Sequence, residues 1–265
     1  MDSKKPVKIK GNYLSVKAIF FLSLITLLSI KDSFADKTIE LKWGEILPSG
    51  TPSVNAMKLI SEEVKEKTNG KVIIKLFPSG QLGSSREMIE STMFGSLDMV
   101  TEGAGNVGQW IPSLSILEAP YLWRDINHIE KVINGPIGQR FQKDLKGKDL
   151  KMLGFFYNGI RHITTSRRPI NSINDIKNLK LRVPENEIFL SMVKAWGAKP
   201  TPLNFSELYL ALRQNVVEGQ ENPLPLIEKA KLYKKEFKDA IFKTLPAEFE
   251  QRWGKGLFEE IAKTM

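Results

Sequence analysis

From residue 38 onward the apolar positions switch between period two and a period near 3.6, and each switch marks an element. Thr38 to Ile46 alternates as a half-buried strand. Thr51-Pro52 then supplies an N-cap with proline at the first helical position, and Val54, Met57, Ile60 and Val64 form one apolar stripe that Gly70 stops. Lys71 to Phe77 carries the continuous apolar centre Val72-Ile73-Ile74, the pattern of an interior parallel strand. Ser84-x-x-Glu87 is a capping box that opens a helix ending near Gly95, and Leu97 to Thr101 reads as a third strand. The order β-α-β-α-β predicts a parallel sheet with helices on both faces.

The pattern continues with a helix from Asp125, a break and a new helix at Gly135-Pro136, and a strand over Leu150 to Tyr157. A second unit follows. Arg161 to Thr165 and Leu179 to Val183 read as strands, Glu185 to Trp196 as a helix, and Asn204-x-x-Glu207 as a cap opening a helix with Leu208, Leu210 and Leu212. Val216-Val217 is a short strand, and Pro223 to Tyr233 is helical. A seam at Asn158-Gly159 is suited to a hinge between two lobes.

The first 35 residues change the picture of where the chain works. Lys4, Lys5, Lys8, Lys10 and Lys17 make a basic region, Ala18 to Ile30 is apolar, and Ser33-Phe34-Ala35 has the small residues of a cleavage site. This reads as a cleaved secretory signal peptide, too short for a membrane span. The net charge is +9, and this leader, with six Lys and two Asp, holds +4 of it, leaving +5 for residues 36–265. Lys and Glu are interspersed there, so no nucleic-acid surface is expected. The chain has no Cys, which excludes disulfides, thiolate chemistry and a Cys-based metal site.

Little points to catalysis. Gly103-Ala104-Gly105-Asn106-Val107-Gly108 matches G-x-G-x-x-G, but Pro112 follows the last glycine by four residues and no long helix can open there. The stretch reads as a flexible loop. His128 and His162 lack the partners of a zinc site, and no nucleophile elbow is present. Neither an enzyme nor a cofactor is expected. What stands out is polar groups at strand ends and loops: Arg161, Arg182, and the run Glu218-Gly219-Gln220-Glu221-Asn222-Pro223. Arg182 falls at the C-terminal edge of its strand, where open α/β sheets keep ligand crevices, and a guanidinium there can grip a carboxylate bidentately. The alternative for Arg182 is a solvated surface position. The Asn222 amide can donate to the same carboxylate, Phe205 can cover the apolar face of the ligand, and His162 could line the pocket.

Several ordered stretches resemble the extracytoplasmic solute-binding proteins of TRAP transporters, the DctP family. They are Phe77-Pro78-Ser79-Gly80-Gln81-Leu82-Gly83, Pro120-Tyr121-Leu122, Gly159-Ile160-Arg161-His162, Arg168-Pro169-Ile170, Asp175 to Pro184, Gly197-Ala198, Phe205 to Leu212 and Val217 to Pro223. The resemblance covers about residues 38–233. It implies a two-lobed α/β type II periplasmic-binding-protein fold of mixed sheets and flanking helices, closing by a hinge, with lobe I over 36–158 and lobe II over 159–236. It implies an organic acid as ligand, a sugar acid or dicarboxylate, and a membrane permease pair as partner of a periplasmic monomer. It places Arg182 on the carboxylate clamp, Arg161 on a second basic contact, Asn222 and Phe205 in the pocket, and Glu102 near it.

The same resemblance implies a further strand after Tyr233 that crosses back to the first lobe, and a long connecting helix. Here Lys234 to Phe237 lead directly into what resembles the terminal helices, expected over 237–265. A missing central strand would expose sheet edges and apolar surface. A second reading is therefore a shortened, non-transport homologue that presents ligand to a sensor or interaction partner.

Overall fold

The computed structural model describes residues 38–232. The expected signal peptide and terminal helices lie outside the described residues. The first sheet is fully parallel, in the order β2 (Val72–Phe77), β1 (Ile39–Glu45), β3 (Met99–Thr101). Ile39 pairs with Val72 and Trp43 with Met99. Helix α1 (Pro52–Lys67) buries Val54 and Met57, but Ile60 is exposed and Val64 half-buried, so the apolar stripe packs fully only in its first half. Its N-cap residue Thr51 leaves the helix uncapped, because the hydroxyl donates to the Pro48 carbonyl (2.9 Å) instead of accepting. Helix α2 (Ser85–Met93) has the full capping box: Ser84 N donates to Glu87 Oε2 (2.7 Å) and Glu87 N to Ser84 Oγ (3.3 Å).

Two expectations for this lobe change. The Val72-Ile73-Ile74 strand is parallel, as its pattern indicates, but it sits at the sheet edge among the described residues, and of these three side chains only Ile74 is buried. Leu150 to Tyr157 forms no strand, and Leu153, Phe155, Phe156 and Tyr157 are exposed. A β pattern becomes a strand only beside a partner ladder. Among the described residues none lies next to this segment, and β3 pairs on one side only. Between the sheet and this segment lie α3 (Ala104–Val107), a 3₁₀ helix (Pro112–Glu118), α4 (Ile126–Asn134) and α5 (Pro136–Lys146). Ile111, Leu114, Phe141 and Leu145 form their shared core. The G-x-G-x-x-G stretch, read as a loop, therefore holds one helical turn.

The second sheet is mixed, in the order β4 (Arg161–Thr165), β7 (Gly219–Pro223), β5 (Lys180–Val183), β6 (Lys199–Pro202). Strand β7 runs antiparallel to β4 and parallel to β5. Gly219–Pro223, the greater part of the polar run read as strand ends and loops, is thus a central strand buried along its whole length, and Val216 to Glu218 only lead into it. Gly219 is required there, since a Cβ would stand 2.5 Å from the Thr164 carbonyl oxygen. Strand β6 contains Pro200 and Pro202 and is tolerated because it lies at an edge. Helices α6 (Ile173–Ile176), α7 (Glu187–Ala195), α8 (Phe205–Arg213) and α9 (Leu224–Lys229) complete the lobe. Its core is Ile176, Leu179, Leu181, Val183, Phe189, Val193 and Ala198. No helix among the described residues is long and apolar enough to cross a membrane.

Candidate functional site

The site follows from what the strand ends carry. Arg182 is the penultimate residue of β5, beside Gln220 of β7, and is only 3% exposed. A solvated surface position is therefore ruled out. Its Nε and Nη2 both donate to the Leu203 carbonyl, at 3.0 and 2.7 Å. A guanidinium has five N–H donors, so with two on Leu203 three remain. Among the described residues no carboxylate forms a salt bridge with it. Burial pulls its pKa down to about 10, Glu221 opposes this and Arg161 adds to it. The Phe205 ring lies 5.9 Å from its guanidinium carbon. A buried cation with spare donors and an aromatic neighbour is equipped to receive an anion.

Arg161, at the start of β4, is spoken for. Its Nε and Nη2 form a fork onto the Glu221 carboxylate, and Nη2 also reaches Asn222 Oδ1 (3.1 Å). Burial works against its charge, and the pair with Glu221 more than restores it. The Phe189 ring stacks at 4.8 Å. Asn222, buried on β7, also donates to Gln220 Oε1. The structure thus brings Arg182, Arg161, Asn222 and Phe205 together. His162 is exposed; it faces Asn222 in the β4–β7 register but joins none of these hydrogen bonds.

Glu102, just after β3 in the first lobe, is linked to this group through Glu118, whose charge acts on both Glu102 and Arg161. Its Oε2 accepts from Asn106 Nδ2 (2.9 Å) and Gly103 N (3.3 Å), and its buried Oε1 has no hydrogen-bond partner. The Ser85 hydroxyl lies close by without completing one. Desolvation raises its pKa to about 7. Behind it, Glu45 at the end of β1 is raised to about 7 by burial and by the Glu102 charge. Asn106 bridges the lobes by accepting from Asn186 Nδ2 (2.8 Å), and Gln109 Nε2 adds a second bridge to the Glu185 carbonyl (2.9 Å).

Glu118, at the end of the 3₁₀ helix, was not legible as a site residue. Its carboxylate rests on the Gly103–Gly105 turn so closely that a Cβ on Gly105 would meet Oε2 at 2.3 Å. Burial raises its pKa, the Arg161 charge and the Gly105 backbone oppose that, and Glu221 reinforces it. Glu118 and Glu102 are only half-buried by surface area, yet burial is the leading cause of the raised pKa of both.

With this geometry in place, the family can be tested. The profile of the bacterial extracellular solute-binding protein family 7, DctP, matches residues 43–236. The chain belongs to this family. The DctP-family relatives include the sialic acid-binding periplasmic protein SiaP of Vibrio cholerae, 40% identical over 194 residues, which are 73% of this chain and 60% of SiaP. The 2,3-diketo-L-gulonate-binding periplasmic protein YiaO of Escherichia coli is 34% identical over 67% of this chain and 54% of its own. Among solved structures, the sugar acid binding protein DctPAm of Advenella mimigardefordensis, in complex with galactonate, superposes with a TM-score of 0.72 at 34% identity, covering 74% of this chain and 64% of that one. A TRAP periplasmic solute binding protein from Polaromonas, bound to D-erythronate, gives 0.70 at 39% identity over 73% and 64%. The two-lobed fold is therefore that of the TRAP periplasmic solute-binding proteins. The matched stretch of this chain spans 54–60% of the length of these two curated relatives.

Proposed function

We propose that this chain is an extracytoplasmic solute-binding protein that captures an organic acid between its lobes and delivers it to a TRAP permease. The single observation that carries the reading is Arg182: a desolvated guanidinium with, among the described residues, three free N–H donors and no carboxylate of its own. The ligand carboxylate takes that place. Asn222 donates alongside it, Phe205 covers the apolar side of the ligand, and Arg161 is a second cationic contact through its Nη1. Glu102 faces the ligand from the opposite lobe. Lobe closure, hinged near Gly159 (φ +107°), completes the Asn106–Asn186 and Gln109–Glu185 bridges. The periplasmic location is supported by the names of its relatives, which are periplasmic binding proteins, and the permease partner by the description of solved neighbours as TRAP solute binding proteins.

Thermal melts test the reading with a panel of sugar acids, uronates, C4-dicarboxylates and keto acids. An acid at a thousand times its dissociation constant adds about 4 kcal/mol, a shift of roughly 8–16 °C for a domain of this size. One acid that raises the melt, with the shift lost in Arg182→Ala, supports the clamp. A shift that survives Arg182→Ala disproves it.

A further inference from the structure

The charges in the cleft are already paired in a way that constrains the ligand. Arg161 is held by Glu221 through two hydrogen bonds, and the Glu118 charge acts on both of them. Arg182 is the one of the two guanidiniums with no carboxylate bound to it. On the first-lobe side the polar groups around Glu118 are Glu102 and the amide of Asn106; the carboxylates accept from hydroxyls, the amide accepts or donates, and none of them carries a positive charge. The unpartnered Oε1 of Glu102 calls for a hydroxyl donor of this kind. A second ligand carboxylate would find Arg161 already neutralised and Glu118 beside it. The protein supplies that second carboxylate itself.

Resting on the binding reading above, we propose that Glu118 is a specificity-determining residue of this site, which selects polyhydroxy acids with a single carboxylate and rejects dicarboxylates. The single carboxylate pairs with Arg182. The hydroxyls of the chain or ring reach across to Glu118 and Glu102. The placement of Glu118 is built in rather than incidental: two glycines, Gly103 and Gly105, leave the room its carboxylate fills, since a Cβ at either would come within 2.5 Å of a Glu118 oxygen.

Titration calorimetry on the full chain tests this with D-galactonate and D-glucuronate against succinate and L-malate. The expected result is tighter binding of the single-carboxylate acids, by about tenfold or more, since an unpaired like charge in a desolvated site costs at least that much. Glu118→Gln, nearly isosteric and without the charge, is expected to narrow that ratio by strengthening dicarboxylate binding. Glu118→Asp keeps the charge, and is expected to keep dicarboxylates out while weakening the hydroxy acids. A melt of each variant confirms that it folds. Equal affinity for both classes in the wild-type chain overturns the inference while leaving the Arg182 reading intact, as does a ratio that Glu118→Gln leaves unchanged. Failure of every acid to bind overturns both.

Discussion

Replacing Arg182 by Met separates a binding role from a structural one, because the two roles have opposite signs. The folded chain depresses the Arg182 pKa well below the ordinary guanidinium range, to about 10, so holding the charge costs the unliganded fold on the order of 3 kcal/mol. Methionine fills a similar volume without that cost, but leaves the partly buried Leu203 carbonyl without its two donors, a loss of about 1–3 kcal/mol. The two terms nearly cancel. The unliganded variant is expected to melt within a few degrees of wild type. Binding behaves differently: removing one partner of a buried, hydrogen-bonded charge pair costs about 2–5 kcal/mol, or roughly 30- to 5000-fold in affinity. The assay is a pair of melts, with and without saturating acid, backed by calorimetry. A variant with a collapsed unliganded melt would show that Arg182 holds the lobe together. A variant with an unchanged ligand shift would show that the carboxylate binds elsewhere. Either result refutes the reasoning.

Other residues make separate expectations. Glu45 and Glu102 hold their protons up to about pH 7, against 4.5 unfolded, so between those values the folded state binds more protons and loses stability as pH rises. Each contributes on the order of 3 kcal/mol across that window; melts of the unliganded chain at pH 4.5 and 7.5 should show it, and Glu102→Gln should flatten the slope, whereas an unaltered slope contradicts the assignment. Glu221→Ala leaves Arg161 unpaired in the cleft and is expected to cost about 3–5 kcal/mol in denaturant melts; a loss under 1 kcal/mol would mean that solvent already shares the pair. Asn186→Ala removes both the α7 cap on Phe189 N and the bridge to Asn106. It should cost about 1 kcal/mol and shift small-angle scattering toward a more open form; an unchanged scattering profile would remove the bridge from the closure argument.

What the sequence revealed, and what it hid, divides along local and non-local lines. The Ser84–Glu87 box and the Asn204–Glu207 pair concern residues three apart, and both form: Ser84 accepts from Glu87 N and Glu207 accepts from Asn204 N (3.1 Å); the helix expected from Asp125 opens there, with Asp125 as its cap accepting from His128 N (2.8 Å). The clamp candidate Arg182 was legible because its strand ends at Pro184 and its context matched a family. Strands were harder. Leu150 to Tyr157 has a strand pattern but no neighbour among the described residues, whereas Lys199–Pro202 looks unsuited to a strand and pairs along β5. Glu118 stayed hidden because its role depends on two glycines 13 and 15 residues upstream and on an arginine 43 residues downstream. No local pattern encodes that meeting. His162 was drawn in by its neighbour Arg161, and the structure leaves it at the surface.

The most direct test of the central claim is a crystal structure of the chain with a bound sugar acid, galactonate being a suitable probe. The expected result is a ligand between the lobes, its carboxylate within hydrogen-bond distance of the free Arg182 nitrogens and of Asn222, and its hydroxyls toward Glu118 and Glu102. A carboxylate seated away from Arg182, or a ligand bound outside the cleft, would contradict the account.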